Sequence, residues 1–178
     1  MLLRPALLLV VLTGCPLFNE TLPECTMIDA SNVQLVASDL DDHMIDITDG
    51  SQVPLLGAPQ GGHIMLVGAR IKAASDCQLI ANAALRDVAT NRVLGLEQRP
   101  LLLDRHHDGW AVPRHGIDEM PNLAVCPASA ATTTIYNHEY KLEVTLMTLD
   151  EQMVATATAL ITPTCQPGDG YCEGDCGL

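Results

Sequence analysis

The sequence predicts an all-β chain: an antiparallel β-sandwich of about seven strands, stabilised by disulfides. Three observations lead there. Short runs that alternate apolar and polar residues recur between clusters of Gly, Pro, Asn and Asp, the pattern of half-buried strands joined by turns. No segment carries the 3.6-residue periodicity of an amphipathic helix. Beyond Cys15 there are six cysteines, Cys25, Cys77, Cys126, Cys165, Cys172 and Cys176, an even set that suits disulfide pairing.

Taken in order, the first strand is expected over residues 32–37, where Val33, Leu35 and Ala37 share one face. The stretch 39–50 is acidic and is followed by Gly50, Pro54, Gly57, Pro59 and Gly61-Gly62, so loops with at most short strands should occupy it. From Gly62 the alternation is clear: His63, Met65, Val67, Ala69 and Ile71 lie on one face, with Arg70 and Lys72 on the other. Ser75-Asp76 turns the chain into a strand with Cys77, Leu79, Ala81, Ala83 and Leu85 inward. Thr90-Asn91 then forms a hairpin into 92–103, which Gly95 and Pro100 mark as bent or at an edge. A short strand over 122–126 precedes Pro127. Residues 140–148 give the best alternation, with Leu142, Val144 and Leu146 opposite Lys141, Glu143 and Thr145, and Leu149-Asp150-Glu151 closes a hairpin onto 152–161.

The stretch Asn137-His138-Glu139-Tyr140-Lys141-Leu142, entering the penultimate strand, resembles the tyrosine corner of immunoglobulin-like folds. The resemblance implies an immunoglobulin-like sandwich in preference to a jelly roll, and no particular function. One Phe, one Trp and three Tyr leave the core to Leu, Val, Ile, Ala and Met, so stability should lean on disulfides. Cys77 starts one core strand and Cys126 ends another, which makes Cys77–Cys126 the preferred bridge. Cys172 and Cys176 lie in a Gly-rich tail, 166–178, with Cys165 just before it; the tail is expected to be irregular, and these cysteines should pin it back on itself or to Cys25.

The chain of 178 residues has 9 Lys and Arg against 22 Asp and Glu, a formal charge of −13. Such a surface repels nucleic acid and anionic headgroups, so neither is an expected partner of the folded domain. The N-terminus is different in kind. Arg4 supplies a positive charge, Ala6 to Leu12 is an unbroken apolar run, and Leu12-Thr13-Gly14-Cys15 places small residues before a cysteine. The run is far shorter than the ~20 residues that span a bilayer. The segment resembles a bacterial lipoprotein signal peptide with its lipobox; an ordinary secretory signal is the alternative. The resemblance implies cleavage after Gly14, a diacylglyceryl group and further acylation (palmitate) at Cys15, and, with Pro16 in place of Asp, sorting to the outer membrane. The expected organisation is then a signal peptide (1–14), a tether (15–24), a sandwich (25–165) and the tail (166–178).

Motifs of catalysis are missing: no Gly-x-Ser-x-Gly, no His-Glu-x-x-His and no phosphate-cradling glycine loop. The expectation is a non-catalytic, cofactor-free lipoprotein of the cell envelope, facing the periplasm or the cell surface. Its partners would be the membrane, through the lipid on Cys15, and an envelope protein meeting a sheet edge or end loops. The alternative is a metal-binding protein or metal-dependent hydrolase that uses His106, His107, Asp108 and His115. The acidic run 39–49 is a calcium candidate that fails the EF-hand template, because His43 takes a ligand position and the required glycine is missing. Trp110 either stacks on a sugar or plugs the sandwich end. Cys172-x-x-x-Cys176 has tolerable zinc spacing, but no second close Cys or His pair accompanies it and export favours oxidation.

Overall fold

A computed structural model describes residues 22–177 apart from 27–31, 40, 115, 117 and 128–133. The expected signal peptide, Cys15, most of the tether and His115 lie outside the described residues. Eleven strands and one helix are formed among those described: β1 (Val33–Ser38), β2 (Met44–Asp46), β3 (Ser51–Pro54), β4 (Leu56–Gly57), β5 (His63–Lys72), β6 (Cys77–Asp87), β7 (Val93–Arg105), β8 (Trp110–Pro113), β9 (Asn122–Cys126), β10 (Tyr140–Met147), β11 (Met153–Thr164) and α1 (Gly170–Cys176). The chain is all-β and dominated by antiparallel pairing, as the alternation predicts. The strands number eleven rather than about seven because the punctuated stretch after β1 contributes β2, β3 and β4, and a turn splits β8 from β7.

The strands make two layers. In one, β5 pairs with β1 along one edge and with β9 near its start on the other. In the other, the order is β7-β6-β10-β11-β3, antiparallel except where β3 runs parallel to β11. The short strand β8 pairs with the end of β5 and the end of β7, so hydrogen bonding continues from one layer to the other. Between the layers lies a core of small and medium aliphatic side chains, among them Leu79, Leu85, Leu101, Leu103, Leu123, Leu142 and Leu146, all fully buried. The inward faces read from sequence for β6 and β10 are the buried ones. β5 is buried on both faces for most of its length, because Ile64 and Leu66 pack outward with Val36, Leu56 and Met120 in a second, smaller cluster. Gly95 has a specific cause: a Cβ there would lie 2.6 Å from the Ala124 carbonyl oxygen of β9, so the strand must be bare where the layers cross.

At the entry to β10 the hydroxyl of the buried Tyr140 donates to the Thr134 carbonyl at 3.0 Å, the contact that a tyrosine corner makes. Asn137 turns the chain there with φ of 59°, a left-handed conformation that Asn tolerates, and its N–H donates to the Pro163 carbonyl of β11.

Two expectations about the cysteines need correction. The bridges are Cys25–Cys77, Cys126–Cys176 and Cys165–Cys172, with no Cys77–Cys126 bond. Cys77 follows the turn after the end of β5, whereas Cys126 pairs with His63 at its start. Ten residues of strand separate those ends, roughly 30 Å at ~3.3 Å per residue, far beyond the ~7 Å that a disulfide can span between Cα atoms. The tail is also not irregular. It folds into α1, with Asp169 as N-cap accepting the Cys172 N–H at 3.0 Å. Two glycines and a length of seven residues make this helix weak by itself. Bridges from Cys172 to Cys165 and from Cys176 to Cys126 hold it against the sandwich.

Partial-reduction mass mapping of a non-reduced digest is expected to recover those three pairings; a Cys77–Cys126 peptide would contradict the arrangement. In urea denaturation, Tyr140→Phe should cost about 1 kcal/mol, the net worth of one hydrogen bond. Leu142→Ala should cost about 2–5 kcal/mol by opening a cavity.

Candidate functional site

Of the histidine-loop residues proposed from sequence, those described do not converge on one point. His106, His107 and Asp108 sit on the exposed turn between β7 and β8. Asp108 is occupied by the backbone: its Oδ1 accepts the Trp110 N–H at 3.0 Å, and its carbonyl accepts from Lys72 Nζ at 2.9 Å. The Trp110 N–H holds its carboxyl below the usual range, helped by Lys72 and the two histidines. Among the described residues these side chains do not form a group of three close ligand atoms. Trp110 is half-buried, and its ring carries Lys72 Nζ at 4.3 Å and Arg70 Cζ at 4.9 Å from the centroid. Both cations are within cation–π range of the ring.

In the acidic run, the ligand atoms of Asp39, Asp41 and His43 lie within 4.8 Å of one another, and Asp39 closes a turn. Asp39 accepts the N–H groups of Asp41 at 2.9 Å and His43 at 2.8 Å through Oδ1, and its Oδ2 lies 3.2 Å from His43 Nδ1. The His43 N–H is the main reason that its pKa is lowered. Asp49 caps the Leu160 N–H, and Asp46 pairs with Arg70 at 2.9 Å. The Asp39 contacts form an Asx turn, which needs no ion. A polar cleft of about 380 Å³ opens between β7 and β9, where Glu97 and Arg99 pair at 3.0 Å and Asn122 Oδ1 makes no hydrogen bond.

A different cluster forms at the start of β5. His63 lies between β4 and β9, opposite Gly57 and Cys126, and is only 4% exposed. α1 packs over it. Asp169, at the N-cap, brings Oδ2 to 3.5 Å from His63 Nε2, and Asp175 brings Oδ2 to 3.4 Å from Nδ1. Nδ1 is buried and has no well-formed hydrogen bond. Cys172 and Cys176, one turn apart on the inner face of α1, are both buried, with their sulfurs 4.0 Å apart. The ligand atoms of His63, Cys172 and Cys176 all lie within 4.8 Å of one another. In sequence His63 reads as an ordinary member of an inward face. The motif Cys172-x-x-x-Cys176 is visible, but its third partner stands over one hundred residues away and becomes its neighbour only through the Cys126–Cys176 bridge and the His63–Cys126 pairing.

The Asp169 carboxyl is pulled below its ordinary pKa of 3.8, first by the Cys172 N–H and then by His63. No family model matches the chain, and neither the curated proteins nor the solved structures compared with it contain a match.

The depressed carboxyl implies a defined acid response. Ionised Asp169 contributes stability above its unfolded pKa, near 3.8, and loses it as pH falls through the lower folded value. Asp169→Asn keeps the capping oxygen and removes the charge. Its stability deficit should be present at pH 7 and shrink progressively below pH ~4 in parallel urea titrations; a deficit constant with pH would contradict the charge contribution.

Proposed function

We propose that this chain is a lipid-anchored lipoprotein of the bacterial cell envelope, a disulfide-stabilised β module that binds or supports a partner without catalysis. One observation carries the reading. The six cysteines after Cys15 bond among themselves, so the remaining cysteine, at the end of Leu12-Thr13-Gly14-Cys15, is left for acylation. Three bridges in one domain also suit an oxidising compartment outside the cytoplasm.

The beginning of the domain fits the same reading. The N–H of Cys25 donates to the Gln78 carbonyl, the N–H of Gln78 donates to the Pro23 carbonyl, and Cys25 is bonded to Cys77. Ten Cα–Cα steps therefore separate the lipidated cysteine from a point fixed on β6. Fully extended, they reach about 35 Å, a leash that keeps the sandwich close to the membrane. The layer order around β5 and β6, together with the Tyr140 hydrogen bond, supports an immunoglobulin-like identity for the module. Its partner would be another envelope protein meeting the loops or a strand edge.

Metabolic labelling with a fatty acid in a diderm bacterial host tests the anchor. The wild-type chain should incorporate label and partition with the outer membrane, Cys15→Ser should lose the label, and globomycin should block processing. An unlabelled, processed wild-type protein would reduce the reading to secretion alone.

A further inference from the structure

We propose that the Cys165–Cys172 and Cys126–Cys176 bridges form a thiol–disulfide relay: an external dithiol opens the first at Cys165, and the released Cys172 thiolate, beside His63, opens the second. This stoichiometric exchange adds an activity to the anchored module and does not depend on the anchor. It starts from the fully bridged chain, and the Cys126–Cys176 bridge still holds α1 at the moment Cys172 attacks.

Three features support the relay. The first is contact between the bridges. Cys172 and Cys176 belong to different disulfides, yet their sulfurs are 4.0 Å apart on the inner face of α1. That is contact distance, and attack of a thiolate on a disulfide sulfur is the elementary step of exchange. The product bridge is within reach of the backbone, because four residues of helix place two Cα atoms ~6 Å apart, inside the range that disulfides occupy.

The second is graded exposure. Cys165, just after β11, is half-buried, whereas Cys172, Cys176 and Cys126 are 0%, 2% and 7% exposed. A thiol arriving from solvent therefore meets Cys165 first and expels Cys172. Both cysteines of the third bridge, Cys25–Cys77, are buried and offer no comparable entry.

The third is a group that receives the charge. A nitrogen of His63 lies within 4.8 Å of the Cys172 and Cys176 sulfurs, and the ring is held between Asp169, 3.5 Å from Nε2, and Asp175, 3.4 Å from Nδ1. A histidine beside a cysteine stabilises the thiolate, and a stabilised thiolate leaves faster.

The steps balance. One sulfur of the dithiol, as thiolate, bonds to Cys165 Sγ while the Cys165–Cys172 bond breaks. Cys172 then bonds to Cys176 while the Cys126–Cys176 bond breaks, and Cys126 leaves as a thiolate. The second sulfur of the dithiol resolves the mixed disulfide on Cys165, and the donor departs as its own disulfide. Two electrons and two protons have moved from the donor, leaving thiols at Cys165 and Cys126 and one bridge, Cys172–Cys176. That bridge lies within α1, so the helix is no longer tied to β9 or to the end of β11.

The full oxidised chain in detergent, with any free thiol blocked beforehand, is treated with limiting dithiothreitol, quenched with N-ethylmaleimide and cleaved at aspartate without reduction. Cuts at Asp169 and Asp175 separate Cys165, Cys172 and Cys176 into different peptides. Mass spectrometry of the first species to open should find label on Cys165 and Cys126, a Cys172–Cys176 bridge and an intact Cys25–Cys77 bridge; this needs no variant to fold. In His63→Gln the first opening should slow about tenfold, and label should move from Cys126 towards Cys172. The proposal is overturned by label on Cys165 and Cys172 with Cys126–Cys176 intact, by Cys25–Cys77 opening first, by bridges that resist the dithiol in the folded chain, or by an unchanged rate and label distribution in His63→Gln.

Discussion

A core almost without aromatic side chains is the constraint on which this fold rests. Among the described residues Tyr140 is the one aromatic that is buried, and alanines occupy many inward positions, including Ala37, Ala69, Ala81, Ala83 and Ala159. Each buries little apolar surface, at ~25 cal/mol per Å², so the layers gain less per residue than a core filled with Phe and Trp would give. What the core lacks is made up at the ends. Cys25–Cys77 ties the incoming chain to the start of β6, and the other two bridges clamp α1 over the start of β5. Bonds of this kind typically contribute ~2–4 kcal/mol each, a large share of the stability of a small domain.

The strands were legible where one face is dry and the other wet. β9 has the bounds that alternation assigns to it, and β10 differs by one residue. Legibility failed where the environment is set by distant chain. β5 alternates as a half-buried strand should, yet Met120 and Leu56 cover its second face. The tail looked irregular because Gly170 and Gly174 oppose helix formation, but propensity is a weak prior when two covalent links and an N-cap hold the backbone. For the same reason the chemically richest cluster was hidden. A spacing rule searches for ligands near each other in sequence, and His63 reaches Cys172 and Cys176 only through strand pairing and disulfide connectivity, which the count of cysteines leaves open.

Acidity also has a more local meaning than net charge suggests. Asp49 and Asp76 accept the N–H groups of Leu160 and Arg105 on distant strands, whereas Asp39, Asp87, Asp108 and Asp169 each accept a backbone N–H a few residues on, at a turn or helix start. An aspartate does this at the sharp connections that a many-stranded sheet requires, since its short side chain returns to its own backbone. In the acidic run between β1 and β2, Asp39 supplies such punctuation.

The parallel pairing of β3 with β11 has a kinetic side. β3 ends at Pro54 and its partner begins at Met153, so about a hundred residues must be made and ordered before the two can meet. Until then β3 offers open backbone groups to any passing strand, a risk that its brevity and its terminal proline limit. Contacts of such long range slow folding, because loop closure must precede any gain from pairing. The second-to-last element of the chain is thus the one that completes the sheet, and a chain interrupted before residue 153 would leave β10 as well as β3 without a neighbour on that side.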